Sequence, residues 1–170
     1  MHTRKYSKIV GIETKVKIMR ISTKGRYALR IMIDLAMNPN QGPIRVKDIA
    51  ARQGISEKYL EQIIGMFNKA GYVKSIRGAQ GGYLLTKELR EYTVGMILRL
   101  AEGSIAPVSC VDGVSDGCER KELCVSAILW EKIHNAVNDV VDHTTLQDLV
   151  DWQKNIEVRG DKNEKDDLFR

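Results

Sequence analysis

Residues 46–85 read VKDIAARQGISEKYLEQIIGMFNKAGYVKSIRGAQGGYLL, and the punctuation of this stretch decides the fold. Val46, Ile49 and Ala50 recur at helical spacing, and Gly54 closes that short helix. Ser56 then caps a second helix, with Glu57 at its positive end and an apolar stripe of Leu60, Ile63, Ile64 and Phe67 that stops at Gly71. Two helices joined by so short a glycine-containing turn predict a helix-turn-helix. The period then changes from helical to alternating, so that residues 72–76 and 82–85 read as strands around the loop RGAQG at 77–81.

Helix, turn, helix and hairpin, in that order, make a winged helix-turn-helix. Upstream, Ser22 or Thr23 caps a first helix bearing Ala28, Ile31, Met32, Leu35 and Ala36, ended by NPNQGP at 38–43. Downstream, TVGMILRLAEG at 93–103 is a further capped helix, and the Gly/Ser/Asp-rich residues 104–123 are irregular. A long helix is expected over about 124–142. Its apolar set (Val125, Ile128, Leu129, Ile133, Val137, Val140, Val141) is too wide for so small a head to cover. Thr145 and Asp148 have the spacing of a capping box that opens a last short helix, LQDLVDW.

The predicted fold is therefore mainly α with a small β-hairpin wing: a winged helix-turn-helix plus a long dimerisation helix. The expected divisions are an N-terminal appendage at 1–18, disordered and more in keeping with an upstream start codon than with a functional basic arm; a DNA-binding head at 19–103; a cysteine-containing loop at 104–123; the dimerisation and short C-terminal helices at 124–153; and a charged, disordered tail at 154–170.

The charge follows the same division. The chain carries a net +5, yet residues 20–90 hold thirteen Lys/Arg against five Asp/Glu, whereas residues 91–170 hold nine against sixteen. A basic front and an acidic back are the footprint of a polyanion-binding head on a separate body. No run approaches the ~20 apolar residues of a membrane span, and charges interrupt the N-terminus where a signal peptide would be apolar, so the expectation is a cytoplasmic protein with no membrane partner. No His-Cys-Asp constellation, phosphate loop or carboxylate pair points to an enzyme.

A helix of this kind fits the major groove with its N-terminal half nearest the base edges. Opposite the apolar stripe stand Lys58, Tyr59, Glu61 and Gln62. Gln62 can bond adenine bidentately and Glu61 can accept from cytosine N4. The loop Arg77-Gly78-Ala79-Gln80-Gly81-Gly82 fails as a nucleotide-binding loop because a strand follows it, not a helix. Its G-x-x-G matches the RNA-clamping loop of KH domains only by coincidence. As a wing tip it lets the backbone approach DNA, with Arg77 supplying charge.

Cys110, Cys118 and Cys124 are spaced C-x7-C-x5-C among Asp, Gly, Ser, Glu and Lys, so they are not buried apolar cysteines. Thiolates this close on one loop can converge on a soft metal. Zinc is open on chemistry, though the C-x2-C knuckles of structural zinc are absent, and unligated thiols are open too.

The segments MRISTKGRYALRIMIDLA, VKDIAARQGISEKYLEQI and AGYVKSIRGAQGGYLL closely resemble the Rrf family of winged-helix regulators, over Met19 to about Trp152. The resemblance implies DNA contacts from Lys24, Arg26 and Tyr27 at the first helix, from Ser56, Lys58, Tyr59, Glu61 and Gln62 on the recognition helix, and from Arg77, Gly78 and Gly81 in the wing. It implies a homodimer on a pseudo-palindromic double-stranded DNA operator, expected to act as a repressor. Cluster-binding members have three cysteines between the fourth and the long helix, so the resemblance implies an iron–sulfur cluster on Cys110, Cys118 and Cys124, 2Fe–2S rather than 4Fe–4S. Two departures stand out: the first gap is seven residues where such members usually have five, and Ala127 occupies the position of their histidine ligand. His134 and His143 read as surface or packing residues. The alternative is the cysteine-metabolism branch of the family, without a cluster and controlled by thiol oxidation or a protein partner.

Overall fold

The computed structural model describes residues 21–38, 42–113 and 123–160. The expected appendage at 1–18, Cys118 and residues 161–170 lie outside the described residues. The elements run α1 (Thr23–Met37), α2 (Val46–Gln53), α3 (Glu57–Lys69), β1 (Val73–Ile76), β2 (Gly82–Leu85), α4 (Val94–Glu102), α5 (Val125–His143) and α6 (Leu146–Gly160). Among the described residues no helix is long and apolar enough to cross a membrane.

Local chemistry sets the helix starts. Ser22, Ser56 and Thr93 accept hydrogen bonds from the amides of Gly25, Tyr59 and Met96, which removes one orphan donor from each first turn. Ser22 is itself held, because its amide and hydroxyl both donate to Glu102 at the end of α4 (2.9 and 2.7 Å). Thr145 and Asp148 bond reciprocally: the amide of each reaches the side chain of the other at 2.8 and 3.2 Å. The shorter Asp thus replaces the usual Glu. Between α2 and α3, Gly54 takes the left-handed conformation (φ 63°) that a β-carbon disfavours, and the chain turns within two residues.

One core joins these elements. Ala28, Ile31, Met32, Leu35 and Ala36 of α1 meet Ile49 and Ala50 of α2, Leu60, Ile63, Ile64 and Phe67 of α3, Ile97 and Ala101 of α4, and Leu146 and Val150 of α6. A smaller cluster of Val94, Leu98 and Ile105 receives Val137 and Val141 of α5. The wing strands pair antiparallel, Val73 opposite Leu85 and Ile76 opposite Gly82. Ile44 adds a third edge by exchanging both backbone bonds with Tyr83 (3.0 and 2.8 Å).

Two expected boundaries move. Tyr72 precedes the strand, because its amide closes the end of α3 on the Phe67 carbonyl and its own carbonyl accepts from the Tyr92 hydroxyl. The last helix does not stop near residue 152 but runs to Gly160, through residues expected in the charged tail. Side-chain bonds at i,i+4, Gln147 to Asp151 and Gln153 to Glu157, support this polar helix. Charge density alone therefore did not mark disorder there.

Tyr92 is fully buried. Its hydroxyl donates to the Tyr72 carbonyl (2.8 Å) and accepts from the amides of Thr86 and Lys87 (both 2.9 Å). Tyr92→Phe keeps the ring and strands these groups, so it should cost about 1–3 kcal/mol. Urea unfolding of the two proteins measures this, and equal stabilities would remove the hydroxyl as the anchor of the wing.

Candidate nucleic-acid interface and cysteine site

The HTH is braced by polar as well as apolar contacts. Asp34 of α1, almost wholly buried, accepts from Nε and Nη2 of Arg52 (3.0 and 2.6 Å) and from Gln53 (2.8 Å). Arg30 in turn donates to the side chain and carbonyl of Gln53 (2.9 and 3.0 Å). The end of α2 is thus fixed to α1, which fixes where the turn delivers α3. The Asp34 carboxylate also raises the Arg52 pKa, chiefly through these hydrogen bonds.

On α3, Lys58, Glu61 and Gln62 are exposed, opposite the buried stripe. Tyr59 is only partly exposed and meets Tyr27 edge to face, ring centroids 5.9 Å apart. Arg30 stacks over Tyr27 at 5.2 Å. Tyr27 lies three residues from Arg30 on the same helix, a spacing the sequence shows, but the second partner, Gln53, is brought beside it only by the fold. Lys24 and Arg26 are exposed on the opening turn of α1, with Arg26 donating to Thr23 (3.1 Å). Ser56 spends its hydroxyl as the α3 cap.

At the wing, Arg77 is exposed. Gly78 has φ 113°, and a β-carbon at Gly81 would press on the carbonyl oxygens of Ile76 and Gly78. These glycines are demanded by the turn itself, closed by the Gly81 amide on the Gly78 carbonyl (2.9 Å).

The cysteines lie at the other end of the molecule's logic. Cys110 sits in a single 3-10 turn, Ser109–Val111, that packs against α5. Cys124 is the residue immediately before α5. Both are free and partly exposed. Cys124 Sγ lies 3.1 Å from Ser126 Oγ. That hydroxyl and the Ala127 and Ser126 amides hold the Cys124 thiol below its ordinary pKa, favouring the thiolate that binds metal. The two described thiols thus stand on elements that contact each other, the Ser109–Val111 turn and α5. Among the described residues no three potential ligands already converge, and Cys118 falls outside them. Ala127 is buried and offers only a methyl. His134 stands ten residues along the same helix from Cys124, roughly 15 Å, so it cannot share a cluster with that thiolate.

His134 belongs to a different set. The Arg99 guanidinium of α4 grips Asp142 of α5 through two bonds (2.6 and 2.8 Å) and donates to the Asn138 carbonyl oxygen (2.7 Å). The Asn138 amide group faces His134 Nε2 (3.0 Å). It can only donate there, which places the ring proton on Nδ1, buried and without a partner among the described residues. Gly95 makes this latch possible, since a β-carbon there would collide with the Asp142 carboxylate. Residues 39–43 apart in sequence gave no local signal of it.

A helix-turn-helix with a braced recognition helix, followed by a hairpin wing, defines the winged-helix class of transcriptional regulators. The comparisons narrow this. The Rrf2 family, described as "Iron-dependent Transcriptional regulator", matches residues 21–152; the chain belongs to the Rrf2 family. It is 46% identical over 134 residues to the HTH-type transcriptional regulator CymR of Bacillus subtilis, covering 79% of this chain and 91% of that protein. It is 36% identical over 148 residues to the HTH-type transcriptional regulator IscR of Pectobacterium carotovorum, covering 87% and 88%. Among solved structures, T. potens IscR superposes with a TM-score of 0.63 at 42% identity, over 78% of this chain and 86% of that one. These relatives are named as regulators, not enzymes.

The latch makes stability depend on pH. Hydrogen bonding to Arg99 holds the Asp142 pKa below its ordinary value, so its contribution is full above about pH 4, the unfolded carboxylate value. It is lost as pH falls through the lower folded value. With 41% of the side chain exposed, solvent screens the pair and the effect is modest. Asp142→Asn should be less stable than wild type at neutral pH, and the gap should close in acid. Denaturant titrations from pH 7 to pH 2 that show a constant gap would dissociate Asp142 from the effect.

Proposed function

We propose that this chain is a homodimeric repressor that reads a pseudo-palindromic duplex through α3 and the wing, under the control of an iron–sulfur cluster on Cys110, Cys118 and Cys124. The observation that supports the reading is that Cys124 stands at the start of α5 and Cys110 lies on a turn packed against the same helix. The cluster would supply a redox- and iron-sensitive bond between the loop and the helix start. The cysteines would hold it, 2Fe–2S in preference to 4Fe–4S, with a non-cysteine fourth ligand other than Ala127 or His134. Lys24, Arg26 and Arg77 supply phosphate contacts, and Lys58, Glu61 and Gln62 face the base edges. Tyr27 and Tyr59 order the start of α3 and present their hydroxyls alongside, while Ser56, Gly78 and Gly81 shape the helix cap and wing turn.

The dimer reading rests on α5. Val125, Ile128, Leu129 and Val140 are 51–82% exposed, a band of apolar surface that a second copy would bury. Paired heads on such a spacer reach successive major-groove faces.

A second reading has its own support. The 46% identity to a protein whose structure is described as that of the global cysteine regulator of B. subtilis, together with the partly exposed Cys124 thiol, favours control by thiol oxidation or by a protein partner, with no cluster.

Anaerobic purification separates the two. The cluster reading expects a brown protein with iron and sulfide. Cys118→Ala should lose the visible absorption yet sediment as a dimer and bind DNA with altered affinity. A colourless, iron-free wild type would favour the thiol reading. Identical DNA isotherms for holo, apo and Cys118→Ala protein under argon would end the cluster's role as the switch.

A further inference from the structure

Gly65 lies in the second half of α3, and nothing among the described residues asks for a glycine there. It is not among the residues with positive φ. A β-carbon built on it meets no atom within 4 Å. Glycine in a helix interior weakens the helix relative to alanine, so the position carries a cost with no internal return.

Its place on the helix points outward. At about 100° per residue, Gly65 stands opposite Leu60, Ile63, Ile64 and Phe67, which are all buried. Lys58, Glu61, Gln62 and Lys69 surround it on the same face and are exposed. A shallow depression of about 570 Å³ runs from Gly65 beside Glu61, Gln62 and Lys69, past Met66 and Ala70, to Leu100 of α4. The face therefore has side chains around its edges and none at its centre.

A helix with its side chains measures roughly 10–12 Å across, and the major groove is about 12 Å wide. In so close a fit, the side chain at the centre of the inserted face sets how deep the helix can sit. We infer that Gly65 is a close-approach point of the complex, where the α3 backbone meets the major groove behind the base-reading N-terminal half of the helix and lets Lys58, Glu61 and Gln62 reach the base edges. This rests on the reading of α3 as the DNA-facing helix. The flanking Lys58 and Lys69 fit a polyanion better than an apolar partner.

Gly65→Ala separates fold from function by moving them in opposite directions. The test uses a duplex that wild-type protein enriches from a randomised pool, and a scrambled duplex of equal length. Gly65→Ala should melt higher by roughly 1–4 °C. Its affinity for the selected duplex should fall on the order of tenfold or more, with little change on the scrambled one. Arg77→Ala should instead weaken both and flatten the salt dependence. Gly65→Ala binding the selected duplex as tightly as wild type would overturn the inference. So would an equal loss on both duplexes, or a lower melting temperature. If wild type enriched no duplex at all, the assignment of α3 to DNA would fall first, and this inference with it.

Discussion

Three residues, Tyr92 to Val94, tie the wing, the start of α4 and the α5–α6 corner to one another. The phenol of Tyr92 ties down both ends of the wing, while its backbone carbonyl accepts from Leu146 at the start of α6 (2.8 Å). The Val94 amide donates to Thr144 (2.9 Å), and Thr93 bridges Thr145. A two-stranded hairpin of four-residue strands is marginal by itself. Here it is stable because a buried hydroxyl satisfies backbone groups that would otherwise be stranded. Wing, α4 and the α5–α6 corner share one short segment and cannot shift independently.

That constraint divides the molecule into a rigid head and one long element that leaves it. The head has its own core, and α5 touches it at its C-terminal end, through Val137, Val141 and the Arg99–Asp142 latch. The opposite end of α5 has Ala127 as its single buried residue. Val125, Ile128, Leu129 and Val140 of α5 stay more than half exposed in the single chain. On the proposed reading a second copy covers them, which gives the sequence of α5 a physical reason.

Much of this was legible in the amino acids because it rests on short-range chemistry. The caps at Ser22, Ser56 and Thr93, the Thr145–Asp148 box and the stop at Gly54 are local, and each apolar stripe named from its spacing is buried on the head. What the sequence hid is long-range. Tyr92 reads as one more aromatic, and only the fold supplies its partners Tyr72, Thr86 and Lys87 at the base of the wing. Arg99 and Asp142 lie in different helices, joined by a close approach at Gly95 that no periodicity marks. The extension of α6 to Gly160 was hidden for another reason: a charged stretch pairs along a helix as readily as it dissolves in water. At the cysteines the chain order gave the loop, and the fold added that the turn holding Cys110 packs against α5, the helix that Cys124 opens.

The two regions meet as a lever. From Cys124 to Asp142 is eighteen residues of helix, roughly 27 Å, anchored to the head by the latch at one end and to the cysteine loop at the other. Among the described residues, Cys124 at the helix start and Cys110 on a turn packed against α5 offer chemistry that can change with redox state or metal supply. On the proposed reading, loss of that bond releases the far end while the latch holds. The angle between α5 and the head is then set by fewer contacts. In a dimer joined along α5, that angle is the separation of the two α3 helices, and the spacing of half-sites on DNA fixes that separation to within a helical turn. A sensor placed beside α3 would have to disturb the reading surface itself. Placed at the root of the spacer, it can alter the fit of two heads to one operator while leaving each head intact.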